Sequence, residues 1–167
     1  EFGNSSSSSK KLNNDKINVL FCSDEKYFVG MFASLHSVIT NTNYLDFSHF
    51  NFMIPINLSE LFSKLLIEFE LKMNVILNKS IIYLDPNIID ETIYKSKCYN
   101  GGNHLLNIGN FSRLMIGEFM DYPKLIYLDA DSIVQSDIIK KLLYFDFESG
   151  VHIYSACANF TNTDKKK

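Results

Sequence analysis

Hydrophobic residues follow two different spacings along the chain, and the two alternate. Five short segments are apolar at nearly all or at alternate positions, which is typical of strands in a buried sheet. These segments are residues 16–23, 49–56, 79–86, 124–131 and 150–157. Apolar residues recur at helical spacing over residues 27–42, 57–74, 110–120 and 136–145. Strands that alternate with helices predict an α/β fold with a mainly parallel sheet flanked by helices.

The second predicted helix carries a start signal and an apolar stripe. Ser59 is predicted as its N-cap, because a serine hydroxyl can accept a hydrogen bond from a free backbone N–H of the first turn. The residues predicted to form its buried stripe are Leu61, Leu65, Leu66 and Phe69. Residues 87–102 lack periodicity and end in YNGG, which predicts a loop.

The two ends of the chain differ from its middle in composition. Residues 1–12 are polar and rich in serine, which indicates a tag or linker without fixed structure. Residues 16–160 are predicted to form one domain, and residues 161–167 a frayed polar tail. An uncovered edge of the predicted sheet would allow the chain to form a homodimer.

Charge and cysteine content exclude several classes of function. A formal net charge of -3 argues against a general affinity for nucleic acid or anionic membranes. No apolar stretch is long enough to span a bilayer, and the chain favours a cytoplasmic over a secretory location. Cys22, Cys98 and Cys157 are too widely spaced to indicate a zinc site or a disulfide framework, so they are predicted to be small buried residues.

Acidic residues follow two of the predicted strands. Asp24 follows the first strand, and Asp129 and Asp131 end the fourth. In a parallel α/β sheet, ligands bind at the carboxyl ends of the strands, near the point where the strand order reverses. If the chain stays extended, Asp129 and Asp131 project from one face and could hold Mn²⁺ or Mg²⁺. The alternative is that Asp129 caps a turn and Asp131 begins the next one.

Two separated motifs resemble glycosyltransferase family 8, which includes glycogenin and bacterial galactosyltransferases. The motifs are CSDEKY at residues 22–27 and FSRLMIGEFMDYPKLIYLDADSIV at residues 111–134. The resemblance covers most of residues 16–157. It implies a GT-A fold, a Rossmann-like architecture for nucleotide-diphospho-sugar transferases, incomplete here at the C-terminus. It also implies retaining transfer from a UDP-sugar, UDP-glucose or UDP-galactose, to an unknown glycan or protein acceptor.

The resemblance assigns the first motif to the nucleotide. Cys22 and Ser23 would contribute contacts at the end of the strand, and Asp24 a hydrogen bond to the uracil edge. The ring of Tyr27 would stack on the base, as aromatic side chains do with planar bases. Lys26 stands where the family often has asparagine, so its contact departs from the family pattern. For Tyr27, the structural alternative is a residue at the helix start that packs on the sheet.

The resemblance assigns the second motif to the sugar and the diphosphate. Arg113 would contact the donor sugar and is the candidate catalytic residue, while no nucleophile is identified. Asp129 and Asp131, with Ala130 between them, would hold the Mn²⁺ or Mg²⁺ that bridges the diphosphate. The family takes a third ligand from a histidine in a later HxxGxxKPW motif, which this chain lacks. The four histidines present, His36, His49, His104 and His152, are predicted to be structural or surface residues.

Two other interpretations remain open, and the chain is short for a complete enzyme of this family. A haloacid-dehalogenase-type phosphotransferase would use Asp129 as nucleophile and Asp131 as general acid and base, although that motif normally opens its domain. A non-catalytic nucleotide-sugar-binding domain would keep the fold without the activity. Because Asp131 lies close to the end of the sequence, we expect a truncated form with little transferase activity.

Overall fold

A four-stranded parallel sheet forms the centre of the fold. The computed structural model describes residues 16–85, 112, 116–120, 122 and 124–145. The strands are β1 (Ile17–Cys22), β2 (Ser48–Pro55), β3 (Lys79–Leu84) and β4 (Leu125–Leu128). Their order is β3-β2-β1-β4, and every pairing is parallel. The predicted α/β architecture with a mainly parallel sheet, as expected of a GT-A fold, is confirmed.

Four helices flank this sheet in the described part of the chain. They are α1 (Phe28–Thr40), α2 (Ser59–Met73), α3 (Ile116–Phe119) and α4 (Ile138–Leu143). Short 3₁₀ turns precede α1, β2 and α2, at Glu25–Tyr27, Leu45–Phe47 and Ile56–Leu58. None of the helices in the described part of the chain is both long and apolar enough to cross a membrane. The predicted loop at 87–102 and the predicted strand at 150–157 lie outside the described residues.

β1 is buried on both faces, which explains its continuous apolar run. Val19 and Phe21 point to one side, where they pack in a large core with residues of α1, α2 and α4. Leu20 and Cys22 point to the other side, where Met120 at the end of α3 packs against them. A central parallel strand covered on both faces needs apolar residues at consecutive positions. The prediction that Cys22 is a small buried residue is confirmed.

Phe62 is the centre of an aromatic cluster between the sheet and the helices. Its ring centroid lies 5.3 Å from that of Phe28, 5.3 Å from that of Phe52 and 6.0 Å from that of Phe32. The predicted stripe of α2 was therefore wrong at one position, since Leu61 is 38% exposed while Phe62 is fully buried. The helix is rotated so that the larger aromatic ring, rather than its neighbour, faces the sheet.

Ser59 does not cap α2, so that prediction was also wrong. The 3₁₀ turn Ile56–Leu58 runs directly into the helix, and Leu58 takes the N-cap position without a side-chain hydrogen bond. Ser59 already has helical dihedral angles, φ -57° and ψ -45°. An N-cap residue needs non-helical dihedral angles to bring its side-chain oxygen onto the first free N–H groups. The preceding turn removes that geometry.

Side-chain hydrogen bonds hold the segment that follows β4 against α1. The Val134 N–H donates to Ser37 Oγ at 2.9 Å, and Asn41 Nδ2 donates to the Val134 carbonyl oxygen at 3.0 Å. Ser37 Oγ in turn donates to the Ser34 carbonyl oxygen at 2.6 Å. These bonds satisfy both backbone groups of a buried residue, so they fix the path of the chain between β4 and α4.

Asp137 adds further hydrogen bonds to the same segment and is the N-cap residue of α4. Its Oδ1 accepts hydrogen bonds from the Lys140 N–H at 2.9 Å and from Thr42 Oγ1 at 2.8 Å. Its Oδ2 accepts from the Asn43 N–H at 3.3 Å. Partial burial acts in the opposite direction, but these hydrogen bonds and the nearby Lys140 charge lower the pKa of Asp137. One carboxylate thus caps α4 and holds the loop that follows α1.

We expect Phe62→Ala to lower the free energy of unfolding by about 3–5 kcal/mol, because it removes the central ring of the aromatic cluster and leaves a cavity. The matched control is Leu61→Ala at the neighbouring, partly exposed position, for which a smaller loss is expected. Urea unfolding followed by circular dichroism measures both. Equal losses for the two variants would contradict the assigned rotation of α2.

We expect Ser37→Ala to destabilise the fold by about 1–3 kcal/mol, because it leaves the buried Val134 N–H without an acceptor. Ser34→Ala is the control, since Ser34 Oγ is buried and has no hydrogen-bond partner among the described residues. Its removal is expected to leave stability unchanged or slightly raised. Thermal and urea unfolding of the two alanine variants provide the comparison, and a loss on Ser34→Ala as large as on Ser37→Ala would refute this assignment.

Candidate functional site

The candidate site lies where the strand order of the sheet reverses. The chain proceeds from β1 outward to β2 and β3, and then returns to place β4 on the other side of β1. The register pairs Phe21 with Leu128, so β1 and β4 end side by side. The two strands that carry the sequence motifs are therefore neighbours at the switch point, which is where open α/β sheets bind ligands.

The first motif leaves β1 through a hydrogen-bonded turn. Cys22 and Ser23 are buried, and the Ser23 N–H continues the sheet by donating to the Met53 carbonyl oxygen at 3.3 Å. Asp24 Oδ1 then accepts from the Lys26 N–H at 3.0 Å, which caps the 3₁₀ turn before α1. The capping bond fixes the Asp24 carboxylate just beyond the end of the strand.

The ring of Tyr27 is accessible to a ligand. Tyr27 is 39% exposed at the position that precedes α1, so part of its side chain is open to solvent. Lys26 Nζ lies 5.7 Å from the centroid of the Tyr27 ring. An ammonium group at this distance is attracted to the aromatic face. The site therefore presents an exposed aromatic face with a cation beside it.

The acidic residues of the second motif lie in a turn rather than at the end of a strand. β4 stops at Leu128, and the Ser132 N–H donates to the Asp129 carbonyl oxygen at 3.0 Å. We call residues 129–132 the carboxylate turn. The predicted strand through residue 131 was wrong there, because the chain bends and the alternation of an extended strand no longer relates Asp129 to Asp131. Both carboxylates are exposed beyond the strand.

Asp129 is oriented by its own strand. The Tyr127 hydroxyl donates to Asp129 Oδ1 at 2.8 Å. The two residues are separated by Leu128 alone, so the end of β4 brings their side chains to one face. A phenol that donates to a carboxylate restrains the rotation of that carboxylate.

The carboxylate turn suits a hard divalent cation in donor chemistry. Asp129 and Asp131 supply carboxylate oxygens, the ligands that Mg²⁺ and Mn²⁺ prefer. Within the part of the chain that the structure describes, no group of three or more histidine, cysteine, aspartate or glutamate side chains could enclose a metal ion. The described residues therefore offer at most two side chains, those of Asp129 and Asp131, as ligands for a divalent cation here.

A glycine of α1 lies directly against the carboxylate turn. A Cβ atom placed on Gly30 of α1 would lie 2.8 Å from the Ala130 carbonyl oxygen and 3.8 Å from the Asp131 Cα. Glycine is thus required for α1 to approach the backbone of the carboxylate turn this closely. Gly30 follows Tyr27 by three residues in sequence, so one helix spans the distance between the exposed ring and the carboxylates.

The described histidines lie away from the switch point. His36 is exposed on α1, and His49 lies at the start of β2, at the opposite end of the strand from the site. His49 Nε2 is 2.8 Å from Ser80 Oγ, and burial lowers the pKa of His49. Both positions fit the predicted structural or surface role. The other two histidines and Arg113 lie outside the described residues.

Sequence reasoning missed the residues that support the carboxylate turn. Gly30, Ser37 and Asn41 contact the segment after β4. The sequence pattern had predicted packing contacts only for the apolar residues of α1. A signal was present in the spacing, because these small and polar residues recur at helical intervals and so share a face. Their partners were not predictable from that pattern, since Val134 lies far along the chain.

Comparison with known proteins identifies the family. No curated protein matches the chain. One similar solved structure is that of mouse xyloside xylosyltransferase 1 in its apo form, with 14% sequence identity and a TM-score of 0.47. That match covers 75% of this chain and 46% of the xylosyltransferase chain, so the sequence spans about half the length of that protein. Residues 18–167 match the sequence profile of Glycosyl transferase family 8. The chain belongs to glycosyltransferase family 8.

Proposed function

We propose that this chain forms the donor-binding part of a glycosyltransferase that uses a UDP-sugar and a divalent cation. The observation that carries the proposal is the meeting of two motifs at the switch point of the sheet. An exposed aromatic ring follows β1, and a pair of carboxylates follows the adjacent β4. Family membership gives glycosyl transfer as the reaction class, and the haloacid-dehalogenase interpretation is therefore not retained.

The end of β1 would bind the nucleoside. Tyr27 would offer its ring to the uracil face, and stacking of this kind contributes about 1–3 kcal/mol per base. Asp24 would accept a hydrogen bond from the uracil N–H through the oxygen that does not cap the turn. Backbone groups of Cys22 and Ser23 at the strand end would contact the ribose side. The Lys26 ammonium beside the ring would add positive charge next to the bound nucleotide.

The carboxylate turn would face the diphosphate. Asp129 and Asp131 would hold Mn²⁺ or Mg²⁺ there, with Ala130 giving the backbone between them. When bound, such a cation neutralises negative charge on the leaving nucleoside diphosphate. Tyr127 keeps Asp129 oriented before the ligand arrives, which lowers the cost of organising the site. Arg113 is proposed to contact the donor sugar, which would be glucose or galactose, and the acceptor would be a glycan or a protein.

We expect Asp129→Asn and Asp131→Asn each to remove most of the gain in UDP affinity that Mn²⁺ provides. An amide keeps the shape of the side chain but loses the charge that binds a hard cation. Isothermal titration with UDP, with and without Mn²⁺, measures the gain, and a drop of tenfold or more corresponds to about 1.4 kcal/mol.

The control for these variants is Asp46→Asn. Asp46 is exposed in the 3₁₀ turn before β2, at the opposite end of the sheet from the carboxylate turn. Its removal changes the net charge by the same amount and should leave the Mn²⁺ gain intact. An equal loss on Asp46→Asn would mean that the effect comes from overall charge, which contradicts the assigned site.

We expect Tyr27→Ala to weaken metal-free UDP binding by about five- to 150-fold, which corresponds to a stacking energy of about 1–3 kcal/mol. Tyr27→Phe should retain most of the affinity, because phenylalanine keeps the ring. Tyr144→Ala serves as control at a tyrosine that is 70% exposed after α4. Titration of UDP and of uridine gives the readout, and wild-type affinity in Tyr27→Ala would rule out the stacking role.

A further inference from the structure

One face of α1 runs along the backbone that follows β4. Gly30, Ser34, Ser37 and Asn41 are spaced at intervals of three or four residues, so they form one line along the helix. Gly30 lies against Ala130, while Ser37 and Asn41 bind the two backbone groups of Val134. The carboxylate turn and the residues just after it are therefore held at two places by the same helix.

The contact at Gly30 is too close for any other residue. Cβ atoms in proteins essentially never approach another heavy atom to 2.8 Å, which is the distance from a Cβ on Gly30 to the Ala130 carbonyl oxygen. The obstructing atom belongs to the backbone, so it cannot be moved by rotating a flexible side chain. Glycine also lowers helix stability relative to alanine, so α1 holds an unfavourable residue where only that residue fits.

The contacts at Val134 determine which residues would have to shift if the carboxylate turn moved away from α1. Val134 is buried, and both of its backbone groups are bound to α1. At its other end the turn is joined to β4, which is paired with β1. If the Ala130 carbonyl moves away from α1 while these two ends stay in place, the change falls on residues 129–133. Both carboxylates lie within that stretch.

We propose that α1 is the positioning element of the carboxylate turn and that Gly30 is the positioning residue at its closest contact. The missing side chain lets the turn lie against the helix that begins next to Tyr27, which sets the distance between the carboxylates and the nucleoside. This inference rests on the proposed function, because the turn has a ligand to position only if it binds the cation. Gly30 itself touches neither the nucleotide nor the cation.

The test compares two alanine variants of helical glycines. Gly30→Ala adds a methyl group against the carboxylate turn, whereas Gly117→Ala adds the same group on α3, where no atom of the described residues outside that helix lies within 4 Å of the new Cβ. Three quantities are measured on the 167-residue chain. They are the metal-free affinity for UDP, the gain in that affinity with Mn²⁺, and the electron paramagnetic resonance signal of bound Mn²⁺.

We expect Gly30→Ala to weaken cation binding while leaving the binding of the nucleoside nearly unchanged. Its metal-free UDP affinity should stay within about twofold of wild type, while the gain from Mn²⁺ falls by about tenfold or more. The resonance signal of bound Mn²⁺ should also change, because the positions of its ligands change. Gly117→Ala should match wild type in all three measurements. A general loss of structure would lower the metal-free affinity as well, so it can be told apart.

A second variant keeps the proposal testable if Gly30→Ala does not fold. Asn41→Ala removes the hydrogen bond to the Val134 carbonyl from an exposed position at the end of α1. It should lower the Mn²⁺ gain by about threefold, which is less than Gly30→Ala because Ser37 still holds the Val134 N–H. If Gly30→Ala is unfolded and Asn41→Ala keeps the full gain in UDP affinity from Mn²⁺, the positioning role of α1 is overturned.

The remaining outcomes separate this inference from the function on which it rests. If wild type gains no UDP affinity from Mn²⁺, the proposed cation site is wrong and the positioning role fails with it. If wild type shows the gain and folded Gly30→Ala keeps it, as Gly117→Ala does, the inference alone is overturned. A selective loss of the Mn²⁺ gain in Gly30→Ala supports both.

Discussion

The parallel pairing of β1 with β4 is the constraint that brings the candidate site together. β4 comes late in the chain, yet it pairs with β1 rather than with β3, and Phe21 aligns with Leu128. This register brings residues 22–27 and 129–132 to one edge of the sheet. Shifting β1 by one residue exchanges its two faces, which would move Phe21 and Leu20, both fully buried here, each into the core that is packed around the other. Core packing on both faces of β1 therefore also determines the alignment of the two motifs.

α1 adds a second connection between the same two motifs. Its N-terminus begins where the first motif ends, and its length lies against the segment that follows the second. The sheet alone would align the strand ends but leave the turn after β4 to be held by its own backbone bond. With Gly30, Ser37 and Asn41 in contact with that segment, the turn is supported by a rigid helix. Binding groups held by rigid elements need less reorganisation when a ligand arrives.

The sequence predicted the elements well and their ends less well. Period and composition sufficed for β1, α1 and β2, because buried strands and amphipathic helices leave strong patterns. The error at Ser59 has a local cause, since a 3₁₀ turn enters α2 directly and Leu58 takes the N-cap position. At Leu61, the larger ring of the neighbouring Phe62 takes the buried position instead. Local spacing does not encode how an incoming turn joins a helix. The same applies to β4, where the strand stops before its acidic residues.

The candidate site was predictable as a set of residue types and not as an arrangement. Asp24, Tyr27, Asp129 and Asp131 were identified from two motifs, and the structure brings those motifs to adjacent strand ends. What spacing could not supply was the turn, on which the exposure of the carboxylates depends. On a longer β4, Asp129 and Asp131 would project together from one face of the sheet, and an ionised carboxylate on a covered face is costly. By bending after Leu128, the chain keeps both carboxylates in water, where their mutual repulsion is weak.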